Sequence, residues 1–290
     1  MYQNDLFERL RANAARSGAS KIGSAISPTV WALGLTSFLT DISSEMVTSV
    51  LPVYLFNYLR LSPLQFGAVD AVYNGLSVAL IAIVVGIAAD RTRRHKEAAA
   101  AGYSLSALCK LLLIAAGGTW AGIMAAVGLD RLGKGIRTAP RDAMISLSTS
   151  KHDLGLAFGA HRAMDSAGAL LGPLVAFAFL MLVGSNSFTG LWMVSFLIAI
   201  TGVAALWLFV PRTVQVPEPA DSPSLSFGAT VRMPGFIALL VCGTLLAMCT
   251  VSDAFLYVLI QEKSDIGFGY VPLFYVATAA TFMLLAVSAG

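Results

Sequence analysis

Apolar blocks alternate with short polar connections along almost the whole chain. The blocks cover residues 30–51, 66–89, 98–116, 120–139, 156–183, 188–210, 236–260 and 271–290. Each reaches the roughly 17–25 residues that a helix needs to cross a bilayer. Eight such spans, mostly with short connections, predict an all-α polytopic membrane protein. The longest internal connection, 211–235, is rich in proline (Pro217, Pro219, Pro223) and serine. It has too little apolar surface to fold by itself and reads as a linker. The pattern divides the chain into a tail (1–27), a six-span unit (28–210), the linker (211–235) and a two-span remainder (236–290).

Composition agrees with the pattern. Residues are 57% hydrophobic and 12% charged, against roughly 45–50% and 25% in soluble domains. The net charge of +3 comes from bases beside span ends, so it is no nucleic-acid footprint, and a nucleic-acid partner is not expected. Cys109, Cys242 and Cys249 all fall within spans, which excludes a disulfide framework or metal-ligand spacing. Before the first span there is no signal-peptide core. Leu6, Phe7, Leu10 and Ala14 beside Arg9, Arg11 and Arg16 fit either a short amphipathic helix on the membrane surface or a disordered tail. No nucleotide loop, metal cluster or nucleophile–base set is visible, so neither an enzyme nor a cofactor is expected.

Basic residues near span ends mark the cytoplasmic side. They occupy alternate connections: Arg9, Arg11, Arg16 and Lys21; Arg91, Arg93, Arg94 and Lys96; Arg141 and Lys151; Arg212 and Arg232. The opposite connections hold only Arg60 and Lys263. Both the N-terminus and the end of the eighth span are therefore expected to face the cytoplasm.

Ionisable groups at bilayer depth are costly and are functional candidates by default. In span one, Ser37, Asp41, Ser44, Glu45 and Thr48 recur every three or four residues and share one helical face. That face must turn toward a cavity or partner helices. Asp41 and Glu45 stand as a carboxylate pair suited to taking and releasing a proton, unless neighbouring bases neutralise them and they only hold the bundle together. In span four, Lys134, Arg137 and Arg141 lie within about 40° of Asp130 at 3.6 residues per turn, with Arg131 about a quarter-turn away. Arg131 is expected to pair with Asp41, Glu45 or another buried acid, or to bind an anionic substrate group. Lys134 and Arg137 could instead snorkel to the inner surface. Lys110, Asp70, Asn74, the pair His161–Asp165, and Asp253 with Ser252 are further intramembrane polar positions. Asp253 is the best candidate for the facing wall of a cavity, and His161 with Asp165 for an inner-gate contact or a proton relay.

Several motifs carry a family resemblance. The turn Gly86-x-x-Ala89-Asp90-Arg91-x-x-Arg94-x-Lys96 resembles the signature between helices two and three of the major facilitator superfamily of secondary transporters. It differs in having Arg93 where glycine is usual. Its bases would anchor the turn to anionic lipid at about 1 kcal/mol each. Arg131 with Gly133 and Gly135 resembles the family's intramembrane arginine motif. Gly168, Gly172 and Pro173 resemble the glycine–proline motif associated with antiporters, although Ala176 and Phe177 replace its later glycines. The stretches from Asp130 to Asp142, Asp41 to Met46 and His161 to Asp165 are similar to a prokaryotic branch of that superfamily.

The resemblance implies two six-helix bundles with a cavity between them near the midplane and transport by rocking. On it, the chain holds one complete N-terminal bundle and the first two helices of another. The implied activity is proton-coupled efflux of a small organic molecule from the cytoplasmic side of a cell inner membrane. The partners would be that substrate, protons and the lipid bilayer, and the state a monomer. Organic-anion uptake or exchange at Arg131, Lys134 and Lys110 is a second possibility, and a membrane interaction protein without transport a third. Asp41, Glu45, Asp130, Arg131 and Asp253 would serve proton coupling or the substrate cavity. Gly86, Asp90, Arg91, Arg94, Lys134, Arg137, Arg141, His161 and Asp165 would form a cytoplasmic gate, and Gly168, Gly172 and Pro173 a helix-packing motif. Setting Gly290 against Gly86 aligns Leu284 with Leu80 and Ala286 with Ala82. A second copy of the signature is then expected just beyond residue 290, with the chain a fragment of a twelve-span protein.

Overall fold

Ser27 starts the first helix: its hydroxyl accepts the Val30 N–H at 3.3 Å, with Pro28 in the first turn. That is the usual way to satisfy amides that have no partner within the helix. The computed structural model describes residues 26–75, 78–211 and 232–289. Most of the tail and most of the linker lie outside the described residues, as does the Gly290 comparison.

Helix α1 (Pro28–Val53) runs on through a π-helical turn, Tyr54–Tyr58, just after Pro52. The second span carries α2 (Pro63–Gly75) and α3 (Val78–Thr92), followed by α4 (His95–Ala115), α5 (Trp120–Leu147), α6 (Leu154–Val183) and α7 (Phe188–Phe209). Beyond the linker come α8 (Pro234–Cys249), α9 (Asp253–Ser264), a 3-10 turn (Phe268–Tyr270) and α10 (Pro272–Ala289).

Two span expectations need correction. The fourth span does not stop at residue 139. It continues through Pro140 to Leu147, carrying Arg141 within the same helix. The seventh span is not one helix, because the chain breaks between Cys249 and Asp253. Ser252 caps the new helix by accepting the Ala254 N–H at 3.3 Å, and Asp253 sits in its first turn. A hydroxyl cap and an acid at the positive end of a helix favour a new start there.

Helices α4, α6, α7 and the segment Phe268–Leu285 are each long and apolar enough to cross a membrane by themselves. The polar face of α1 and the charges of α5 must therefore be sheltered by packing. Helix α1 packs on α6 and α7, α5 on α4 and α3, and α10 on α6. Glycine makes two of these contacts possible. A Cβ at Gly133 would lie 2.8 Å from the Gly102 carbonyl, and one at Gly168 would lie 2.7 Å from the Phe38 carbonyl. Such small residues let backbones approach in lipid, where packing drives association. Gly86 belongs to the same pattern, with a Cβ there 3.0 Å from Ala139. Ile42, Met46, Val50, Leu191 and Trp192 fill the resulting core.

The first unit meets the helices after the linker at the end opposite the Asp90 turn. Phe66 and Phe255 stack edge-on at 4.6 Å, and Phe177 lies 5.7 Å from Tyr270. Asn57 donates to Gln261 at 3.2 Å, and Ser252 to Asp70 at 2.9 Å. Toward the Asp90 end the side chains described on α8 are exposed along its length.

Candidate functional site

The polar face of α1 meets the charged face of α5 along a ladder that runs through the first unit. At the Asp90 end, Arg141 lies 2.9 Å from Asp142 and 3.9 Å from Asp165. His161 approaches Asp165 at 3.6 Å with one ring nitrogen, and its other ring nitrogen hydrogen-bonds Ser37 at 3.1 Å. Ser37 in turn bonds the Tyr103 hydroxyl at 2.8 Å. One step further, the Arg137 guanidinium stacks 4.6 Å from the Tyr103 ring and lies 3.5 Å from Asp41.

The far end is built on Asp130. Its two oxygens hold Lys110 at 3.1 Å and Arg131 at 2.7 Å. Lys110 also donates to the Ser106 carbonyl at 2.8 Å and Ser44 at 3.4 Å. The Arg131 guanidinium covers the Tyr73 ring at 4.0 Å, a cation–π contact. The Tyr73 hydroxyl reaches Thr48 at 3.2 Å. Ser44, Thr48, Tyr73, Lys110 and Asp130 line a cavity of about 30 Å³, room for one or two water molecules.

Glu45 lies between these two groups on α1. Gly172 lets α6 approach it, since a Cβ there would stand 2.7 Å from the Glu45 Cβ. Its carboxylate makes no ion pair or hydrogen bond among the described residues, and the exposed Lys134 ammonium also lacks an ion pair. Asp41, Asp130 and Asp165 each have a basic neighbour. Glu45 stands apart.

Several sequence expectations find different partners here. Of the acids expected for Arg131, it takes not Asp41 or Glu45 but another buried one, its own neighbour Asp130 on α5. Arg137 does not snorkel: it is buried to 4% exposure and turned toward Asp41. Lys96 does not face lipid either. Its ammonium donates to the carbonyls of Trp207 and Val210 and lies 5.2 Å from the Trp207 ring, so it caps the α7 C-terminus, where a cation is favoured. Asp90 is exposed, 3.8 Å from His95, with Arg91 and Arg94 exposed beside it. Asp253 is also exposed and makes no polar contact with Asp41, Glu45, Asp130 or Arg131 among the described residues. Pro173 sits inside a continuous α6.

Lys110 carries more of the site than its place in an apolar run suggests. A lone base in an apolar run four residues after Ser106 needs a buried acid, and that was its signal. Tyr73 and Tyr103 carried no signal, since aromatic residues are common in spans. Among the described residues, no group of three or more His, Cys, Asp or Glu side chains could hold a metal ion.

Comparison with known proteins adds the family. The family described as Major Facilitator Superfamily matches residues 33–290. An uncharacterized MFS-type transporter of Methanocaldococcus jannaschii is 41% identical over 54% of this chain and 38% of its own length. An uncharacterized protein of Mycobacterium tuberculosis is 30% identical over 71% of this chain and 48% of its own. The chain thus spans about half, or less, of the length of these curated relatives. Among solved structures, a bacterial homolog of the human lysosomal transporter Spinster, in an inward-facing and occupied conformation, aligns with a TM-score of 0.63. It has 18% identity over 89% of this chain and 61% of the other. A POT family transporter in complex with 5-aminolevulinic acid aligns with a TM-score of 0.57, 15% identity, and coverage of 86% and 51%. At these identities the two structures establish a shared fold.

Proposed function

The chain belongs to the Major Facilitator Superfamily, and on that premise we propose that it works in proton-coupled efflux of a small organic molecule by alternating access. The observation that carries this reading is Glu45. A carboxylate at mid-span that no base holds in its ionised form can take up and release a proton, as coupling requires. Each proton that moves inward through 100 mV supplies about 2.3 kcal/mol from the electrical part of the gradient. Asp41, paired with Arg137, is the second member of the coupling site. The Asp130–Lys110–Arg131 group holds α4 and α5 in register beside it.

The arrangement of the two units supports an inward-facing state. Contacts close the seam at the Arg60 end, whereas the described side chains of α8 stay exposed toward the other. Positive charge at alternate connections supports placing that open end, and the N-terminus, on the cytoplasmic side of an inner membrane. There Asp90, Arg91, Arg94, Arg141, His161 and Asp165 are positioned to meet the second bundle when the inner side closes. Gly168, Gly172 and Pro173, where α1 and α6 pack closely, support the antiporter reading. The protein is proposed to act as a monomer.

Lys134 supports a second reading. Lys110, Arg131 and Arg137 are all engaged by acids, but Lys134 has no ion pair among the described residues and faces open space. An organic anion could use it, which gives uptake or exchange instead of efflux. Proteoliposomes of the whole protein with an imposed proton gradient separate the two. Efflux predicts proton-driven movement of cationic or neutral probes, whereas anion exchange predicts counterflow of anionic probes without a proton requirement.

A further inference from the structure

The seam at the Arg60 end encloses a second concavity, of about 240 Å³, that the transport reading does not use. Val53, Asn57, Tyr58, Arg60, Asn186 and Phe188 line it from the first unit, and Phe268 from the helices after the linker. Two features distinguish it from an ordinary surface dent. Arg60 makes no ion pair or hydrogen bond among the described residues, and its backbone is left-handed at φ 54°. Non-glycine residues avoid that region, and such outliers cluster where ligands are held. The exposed Tyr58 and Phe268 side chains also line it together with Phe188, whose ring lies 5.0 Å from that of Tyr58.

We propose that this pocket binds a small aromatic carboxylate. The carboxylate accepts from the Arg60 guanidinium, and the ring lies among Tyr58, Phe188 and Phe268. The volume falls below the roughly 300–1,000 Å³ of sites for drug-sized ligands, so one ring with its substituents fits. Because both units supply walls, an occupant favours the arrangement in which they touch. The site thus regulates the seam from the side opposite the Asp90 turn. Binding itself is independent of the transport reading, and only the regulatory consequence rests on the two units rocking.

The test is the melting temperature of the whole purified protein in detergent, titrated with 4-hydroxybenzoate and with the neutral 4-hydroxybenzyl alcohol. The expected result is a saturable rise with the acid in the millimolar range and none with the alcohol. Loss of one charge-assisted hydrogen bond corresponds to at least about tenfold weaker binding, which Arg60→Gln should show. Phe268→Ala should weaken binding too, since the second unit supplies a wall. Melting of each variant without ligand reports its folding separately. Absence of any rise in the wild-type protein overturns the proposal, as does an equal rise with the alcohol or undiminished binding by Arg60→Gln.

Discussion

Lys110 of α4 and Asp130 of α5 form an ion pair at 3.1 Å in which the lysine side chain is 3% exposed and the aspartate 17%. Asp130 shares its other oxygen with Arg131, so one acid faces two cations. Removing one partner of a buried pair costs about 3–5 kcal/mol. Lys110→Met should fall near the low end, since Arg131 still pairs Asp130. Asp130→Asn should cost more, because it leaves two cations buried against each other. Melting temperatures of the two variants in detergent check that order.

The turn after α3 gives a prediction of opposite sign. Arg93 adopts φ 54° at the position where the superfamily motif usually has glycine. A left-handed L-residue costs about 1–2 kcal/mol, while glycine loses about 0.5–1 kcal/mol in backbone entropy. Arg93→Gly should therefore stabilise the protein by up to about 1 kcal/mol, read as a higher melting temperature.

Helix approach is the subject of a third. A Cβ at Gly172 would lie 2.7 Å from the Ile42 carbonyl as well as from the Glu45 Cβ, with backbone that cannot yield locally. Gly172→Ala should cost about 1–3 kcal/mol, as overpacking does, and should displace Glu45. Gly159, whose Cβ would meet nothing within 4 Å, gives the control: Gly159→Ala should be neutral or stabilising.

Much of the ladder was legible from spacing alone. The polar positions of α1 at 37, 41, 44 and 48 fall on one face, and each finds a polar partner on α4, α5, α6 or α2. The α5 charges likewise share a face, because helical periodicity fixes direction. Choice of partner was not legible. Arg131 was expected to pair with Asp41, Glu45 or another buried acid, and which of these it takes is decided by a side-chain torsion, since Asp130 stands right beside it. Lys96 was unreadable for a similar reason, since a base at a span end fits lipid headgroups and a neighbouring helix C-terminus equally well. The break in the seventh span was written in Ser252-Asp253, a cap signal hidden by the apolar residues on both sides.

A fourth prediction concerns the seam. Asn57 to Gln261 and Ser252 to Asp70 join the two units by hydrogen bonds at the Arg60 end. Gln261→Ala and Ser252→Ala each remove a neutral or charge-assisted bond worth about 0.5–3 kcal/mol. Both should therefore raise the accessibility of cysteines placed along the α1 face from that end, as measured by thiol labelling in vesicles.

The central claim is that Glu45 exchanges the coupling proton. Its direct measurement compares wild-type and Glu45→Gln protein in proteoliposomes, first for substrate counterflow and then for accumulation driven by a proton gradient. Counterflow retained with proton-driven accumulation abolished is the predicted result. Accumulation with unchanged dependence on the proton gradient would contradict the assignment.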